Sequence, residues 1–382
     1  MIHLEQLSYW ERRFYFDSID FLIVGSGIVG LTAAIQLRQE YPEAKIVILE
    51  RGYLPTGAST KNAGFACFGS PSELLDDLKT MREQSVWETV EMRYHGLERL
   101  LKIVDKKTID YEQGGSWELF ENINGLPTKD EIAFLNTKLQ HLLGEKDIYE
   151  HDKQSILKFG LKNFSFSIKN RLEGSLSTDK LMYQLLNKAT KLNIHTFNGI
   201  VTEHFENKND TVTVSTNFGN IQAKKVLVCT NAFTKKLIQP IDVKPARAQV
   251  LITKPIKNLQ LAGTFHSNRG YYYFRNVGNR ILLGGARCMD VEGETTEKFE
   301  NTENIKLELT RFLKHHFVDG EKMTIDYFWS GIMGTGTEKK PLVQKINNNV
   351  YCGVRMGGMG IAIGSEIGHL LVKLILHDTE KK

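Results

Sequence analysis

Short apolar runs and segments of helical period alternate at both ends of the chain. Phe21-Leu22-Ile23-Val24 is unbroken and short, as in a strand buried on both faces. Leu31-Thr32-Ala33-Ala34-Ile35-Gln36-Leu37 predicts a helix ending near Tyr41-Pro42. Ile46-Val47-Ile48-Leu49 is a second buried strand closing on Glu50, so the three segments form a βαβ unit. Leu74, Leu75, Leu78 and Met81, then Leu97, Leu100, Leu101 and Val104, recur at helical spacing and predict helix over 72–107. A strand and turn are expected over 109–120, and a helix over 128–143. After Gly174, Ser177 or Thr178 is placed to cap a helix through Lys191. Strands follow at 194–197, 200–201 and 211–215, with a turn at 217–220 and an apolar run at 226–229. From 248 to 287 the pattern becomes that of antiparallel strands, at 249–253, 271–275 and 281–284. Residues 303–316 read as helix. The tail returns to strand (350–352), glycine loop and helix (366–376). The expected architecture is an α/β domain from residues 1–90, 171–243 and 325–382. It is interrupted by a mixed, largely antiparallel α+β domain from 91–170 and 244–324.

The 382 residues are 41% hydrophobic and 25% charged, with a formal net charge of +4. Lysines and arginines are scattered, and no basic run points to nucleic acid. Cys67, Cys229, Cys288 and Cys352 form no CxxC pair and no zinc-type spacing, so neither a disulfide framework nor a metal site is expected. The first residues lack the apolar core of a signal peptide. No stretch of roughly 18 apolar residues predicts a membrane span. The expectation is a soluble, cytoplasmic protein of undetermined oligomeric state.

The sequence GSGIVG at 25–30 sits between the first strand and the first helix. Gly25 allows the tight turn, Gly27 close approach of a pyrophosphate, and Gly30 close helix–strand packing, while Ser26, Ile28 and Val29 supply the amides between. Glu50 lies 20 residues after Gly30, where a carboxylate accepts hydrogen bonds from a ribose diol, with Arg51 beside it. Such a carboxylate repels a 2′-phosphate. This is a Rossmann-like dinucleotide site, and NAD and FAD share it. The loop from Gly57 to Phe65 is rich in small and hydroxyl residues, including Ala58, Ser59, Asn62, Ala63 and Gly64, and can follow an extended pyrophosphate up to a flat ring.

With these motifs in order, the sequence resembles the D-amino-acid oxidase, glycine oxidase and sarcosine oxidase family of FAD-dependent amine oxidoreductases, from about Asp20 to Leu376. The resemblance implies a discontinuous FAD-binding domain with an inserted substrate domain, and non-covalent FAD. It implies that the segment from Ser59 to Phe65 lines the flavin, that Val201 meets the adenine through its backbone, and that Thr230-Asn231-Ala232 lies beside the pyrophosphate. It also places Gly331, Gly357, Gly358, Met359, Gly360 and Ile361 at the flavin. The helix beginning near Gly364 would set positive potential at the ring's pyrimidine edge.

On the substrate side, the resemblance places Tyr271 over the flavin, although strands favour tyrosine in any case. Arg287 falls where a strand leaves toward the ring, and a surface ion pair is its other reading. Where relatives that oxidise small amino acids carry a carboxylate-clamping arginine, this chain has Met333, so Arg355, Arg275 or Arg287 would take that role. The strand at 280–284 lacks the lysine that activates oxygen in sarcosine-oxidase-like members, so the electron acceptor is open. The expected reaction is transfer of a hydride from the C–H beside nitrogen to flavin N5, giving an imine that hydrolyses. Three alternatives stand beside it. One is a flavoenzyme for a 2-hydroxy acid or polyol, which a histidine near the ring, His266 or His369, would favour. The others are an NAD-dependent dehydrogenase and a non-catalytic flavin-binding protein. A small-molecule substrate is expected, and no nucleic-acid partner.

Overall fold

The computed structural model describes residues 3–152 and 155–380, so residues 1–2, 153–154 and 381–382 of the expected domains lie outside the described residues. Two eight-stranded sheets organise it. In the first, Ile19–Val24 is flanked by parallel partners, Ile46–Glu50 on one side and Gly219–Val228 on the other. His195–Asn198 and Val350–Val354 extend the parallel run at either end. Ile46, Val47, Ile48 and Leu49 are all buried, as their continuous hydrophobicity requires for a strand covered on both faces. Antiparallel strands complete the sheet: Leu342–Asn347 beside Val350–Val354, and Thr202–Lys208 and Thr211–Thr216 beyond Gly219–Val228.

Helix Gly360–Glu380 packs on helices Ile28–Glu40 and Glu83–Ile103. The contact is close because glycines form it: a Cβ on Gly368 would lie 2.5 Å from Thr32 Oγ1, and one on Gly96 2.2 Å from the Ala362 carbonyl oxygen. The helix begins at Gly360, earlier than expected, and its glycines serve this close packing of the three helices. Among the described residues, its stretch Gly360–Asp378 is long and apolar enough to cross a membrane by length and composition. Here it is a core helix, with Ile363, Ile367, Leu371 and Ile375 buried.

The second sheet runs in the order Ile325–Thr335, Lys244–Thr253, Arg280–Gly285, Tyr272–Val277, Thr264–Ser267, Ser116–Phe120, Phe166–Asn170 and Tyr149–His151. Only the pair Thr264–Ser267 and Ser116–Phe120 is parallel. One face packs Phe265 and Phe274 against helix Glu303–His316. The opposite face presents Val250, Tyr273 and Leu282 to Ala63 and Phe65 of the first domain. Period-2 alternation therefore points Tyr273 toward the domain junction, while Tyr272 stacks on Phe312 on the other side.

Several boundaries differ from the expected ones. The helix over 72–107 is two helices, Pro71–Thr80 and Glu83–Ile103, broken where Met81 and Arg82 are extended. The second helix buries Leu97 and Leu100 in the parallel-sheet core, so a domain boundary at residue 90 would cut through it. Strand Ile325–Thr335 pairs along its length with Lys244–Thr253 and belongs to the antiparallel sheet, not to the first domain. Ile200 and Val201 form no strand: Gly199 turns at φ +78°, and the Ile200 amide then bonds to the Glu50 carbonyl.

Candidate active site

A cavity of about 580 Å³ opens between the two sheets. Its deep end lies at the carboxyl ends of the parallel strands, the usual place for a ligand in an open α/β sheet. There the wall is main chain. Gly25 has φ +104°, and a Cβ on it would sit 2.9 Å from the Cys229 carbonyl oxygen. A Cβ on Gly30 would sit 2.0 Å from the Gly25 carbonyl oxygen, so helix Ile28–Glu40 can start here only with glycine at that position. Gly30 thus packs behind the wall, while Gly25, Gly27, Ile28 and Val29 line it. Ser59 reaches across from the next loop, its Oγ accepting the Ile28 amide at 3.0 Å.

Glu50 ends the second strand and faces the cavity. Ser26 turns away from the ligand side: its amide and hydroxyl both donate to Glu50 Oε2, the hydroxyl at 2.8 Å, and the Gly52 amide donates to Oε1 at 3.0 Å. Three donors from the chain hold the carboxylate in one orientation, with lone pairs left for a diol. Arg51 also lines the cavity and lies over the Phe233 ring, 3.6 Å from its centroid. Desolvation lowers its pKa from the usual guanidinium value, against the pull of Glu50. Val201 reaches the wall too, but its amide donates to Asn217 Oδ1 at 2.8 Å and its carbonyl accepts from the Asn217 amide. Both backbone polar groups of Val201, expected to meet adenine, thus bond to Asn217.

The segment from Ala58 to Phe65 runs along the middle of the cavity as a short helix, Ala58–Lys61, and a bend. Asn62 fixes the bend: its amide donates to the Ala58 and Ser59 carbonyls, and its Oδ1 accepts from the Gly64 amide and the Thr178 hydroxyl. Ala63 and Phe65 face the cavity. Gly64 does not; at φ +74° it lies against the Leu176 carbonyl and the Arg275 guanidinium. Thr230 and Asn231 line the opposite side, and Ala232 is buried behind them. Asn231 Oδ1 accepts the Arg355 amide at 3.1 Å, tying this turn to the C-terminal glycine loop. In that loop Gly357 and Gly358 adopt φ of +58° and +88°, and with Met359, Gly360 and Ile361 they form the wall. A 21-residue helix starts at Gly360, and the first amides of a helix lack partners within it and carry its positive dipole end. Gly331 lines the same region, opposite Lys61.

Toward the second sheet the wall becomes side chain. Tyr271 precedes strand Tyr272–Val277 and stands 43% exposed at the cavity. Tyr273, which strand alternation places on the same face as Tyr271, lines it as well, and burial pushes its hydroxyl up to about 12. Arg287 lines it too. Its Nε is buried without a hydrogen-bond partner, and its Nη2 reaches only Thr295 Oγ1, at 3.5 Å. The other two arginines are committed elsewhere. Arg355, expected to act on substrate, is not on the wall: at φ +69° its side chain turns to Asp242, and its Nε donates to the Lys340 carbonyl. Arg275 is buried and donates to the Leu176 carbonyl. His369 bonds to Gln36 away from the cavity, whereas His266 lines it, edge-on to Phe65. Burial lowers the His266 pKa to about 4, against the nearby Glu73 carboxylate. Glu73 and Lys339, also on the wall, pair with each other at 3.3 Å. Sequence spacing gave no signal for these two, because loop and helix meet only in the fold.

These walls fit FAD. A main-chain cradle that any Cβ would fill lies beside a carboxylate held for a ribose, and a second glycine loop backed by a helix start stands at the far end. Comparisons with known proteins agree. The chain is 22% identical over 416 residues to the probable oxidoreductase OrdL of Haemophilus influenzae, covering 97% of this chain and 89% of that protein. The fold is similar to that of L-proline dehydrogenase from P. horikoshii, with a TM-score of 0.75 at 16% identity over 94% of this chain and 93% of that one. It is also similar to that of glycine oxidase from Geobacillus kaustophilus, with a TM-score of 0.73 at 18% identity over 94% of each. The sequence profile of the DAO family, FAD dependent oxidoreductase, matches residues 20–374. The chain therefore belongs to the DAO family of FAD-dependent oxidoreductases.

Proposed function

We propose that this enzyme oxidises a small amine or amino acid at the C–H beside nitrogen. FAD held by these walls would supply the hydride acceptor, and the imine product would hydrolyse in water. The observation that carries this reading is Arg287, a guanidinium on the cavity wall with a buried Nε–H that has no acceptor among the described residues. Donors left unspent in such a place favour an anionic partner, and a carboxylate fits the guanidinium fork. Tyr271 and Tyr273 flank the same space and would hold the substrate's apolar body over the ring. The names of two fold relatives, L-proline dehydrogenase and glycine oxidase, are those of enzymes of amino acids and support the same substrate class.

His266 on the wall favours a second reading, oxidation of a 2-hydroxy acid, which requires a base for the hydroxyl proton. Burial holds that imidazole near 4, far below the pH at which it would serve efficiently as a general base. A neutral amine needs no base before its C–H is broken, so the amine reading suits these residues better. An anaerobic screen of the holoenzyme against α-amino acids, N-alkyl amino acids, simple amines and 2-hydroxy acids tests the choice. Bleaching of the yellow flavin by an amino acid or amine is expected. Bleaching by 2-hydroxy acids alone would replace this reading with the second.

A further inference from the structure

Behind the flavin segment, three residues from distant parts of the chain converge. Cys67 follows the bend at Gly64, Glu173 precedes the short strand Gly174–Ser175, and His266 lies in strand Thr264–Ser267. The thiol sulfur, a carboxylate oxygen and an imidazole nitrogen all lie within 4.8 Å of one another. Cys67 and Glu173 are 2% and 1% exposed. Glu173 is held in place: its Oε1 accepts the Phe68 amide at 2.6 Å and the Gly69 amide at 2.9 Å. The Cys67 thiol donates to the Glu173 carboxyl, and its Sγ has longer contacts, 3.8 Å to the Gly174 carbonyl and 3.9 Å to Thr264 Oγ1. Neither ring nitrogen of His266 has a hydrogen-bond partner among the described residues; its contact is the edge of Phe65. Glu173 makes no ion pair among the described residues, and burial raises its carboxyl to about 7. Arg275, which is influenced by Cys67, donates its Nη2–H to the Leu176 carbonyl instead.

We infer that Cys67, Glu173 and His266 bind one divalent cation of the zinc class, with a fourth coordination position open to the substrate cavity. Thiolate, imidazole and carboxylate are the donors such an ion selects, and three protein ligands with one open position is the pattern of an accessible rather than a closed site. The charges balance: a thiolate and a carboxylate neutralise a 2+ ion, so a neutral assembly replaces a buried acid and a buried thiol. On binding, Cys67 releases its proton to solvent, and so does Glu173 where it is protonated. Tetrahedral ligands stand about 3.5 Å apart around a zinc ion, so the three side chains close by roughly an ångström. Cys67 and His266 both lie on the cavity wall, which leaves the fourth position facing a carboxylate, an amine or water.

The test uses the FAD-loaded enzyme without an affinity tag, mixed with one equivalent of zinc and passed through gel filtration. The wild type is expected to retain one zinc per chain. X-ray absorption at the zinc edge is expected to show one sulfur neighbour at about 2.3 Å and nitrogen or oxygen neighbours at about 2.0–2.1 Å. Cys67→Ser and His266→Asn are expected to lower retention at least tenfold with flavin content unchanged. Should either variant lose its flavin, the wild-type absorption spectrum decides alone. Failure of the wild type to retain zinc, retained zinc without a sulfur neighbour, or equal retention in well-folded variants would overturn the assignment. None of these readouts depends on which substrate the enzyme oxidises.

Discussion

The two ends of the cavity are made of different material. Around the glycine loop the wall is backbone apart from the Glu50 carboxylate, and Ser26 and Asn62 spend their polar atoms on other parts of the chain. Over the antiparallel sheet the wall is Tyr271, Tyr273, His266 and Arg287, carried on strands or at their ends. A backbone wall accepts almost no substitution, because a Cβ at Gly25 or Gly30 meets a carbonyl oxygen. A side-chain wall can change one residue at a time without moving the sheet beneath it. The cofactor end is therefore fixed by geometry and the substrate end by chemistry, and mutations at the two should fail differently.

The largest effect is expected at Gly30. Gly30→Ala places a methyl group 2.0 Å from the Gly25 carbonyl oxygen. Overpacking of this kind costs about 3 kcal/mol or more when the backbone must move. The variant should purify without flavin and with a clearly lowered Tm; a normal yellow protein would show that the loop is looser than described. Glu50→Ala comes next. It removes the ribose acceptor and leaves Ser26 without its partner, a loss of about 2–3 kcal/mol, or on the order of 100-fold in the Kd for FAD. Release of fluorescent flavin on dilution measures it. The residual loaded enzyme should turn over normally.

Arg287→Ala should invert that pattern, with flavin content unchanged and the KM for an amino-acid substrate raised on the order of 50-fold. Arg355→Ala is the control. Its ion pair with Asp242 ties the turn after strand Val350–Val354 to the loop at 242, so the expected loss is stability, about 1–3 kcal/mol by thermal melting, with little change in KM. A KM defect in Arg355→Ala, and none in Arg287→Ala, would reverse the assignment.

The smallest effect concerns acid. His316, buried in the substrate half and stacked on Phe164 at 4.2 Å, is lowered to about 4 by burial, with His315 adding to the shift. Unfolded, it titrates near its ordinary value of about 6.5. Its folded pKa is depressed, so between these values the unfolded state binds the extra proton. Stability is then full above 6.5 and falls as the pH drops toward 4, by about 1–3 kcal/mol. His316→Phe should flatten this part of the urea-stability profile; an unchanged acid slope would place the acid-sensitive group elsewhere.

What could be read from the sequence divides along the same line. Gly25, Gly27, Gly30 and Glu50 were legible because a strand–turn–helix leaves few ways to place them. The apolar runs at 21–24 and 46–49 likewise had only one use. Arg355 was not legible, because no spacing rule reveals that a residue beside two glycines turns at positive φ toward Asp242. Nor could any rule join Cys67, Glu173 and His266, or Glu73 and Lys339, since the members of each set lie far apart in sequence and meet only in the fold. The start of the last helix was misplaced because helix propensity penalises Gly360 and Gly364, while packing against Ile28 and Thr32 demands small residues at Gly364 and Gly368.

The central claim is that main chain holds the cofactor while Arg287 reads the substrate. Anaerobic stopped-flow reduction of wild type and Arg287→Ala, with an amino acid that bleaches the wild type, tests it most directly. The account predicts one flavin per chain in both proteins and a substrate Kd at least tenfold weaker in the variant. Equal Kd values, or loss of flavin from the variant, would contradict it.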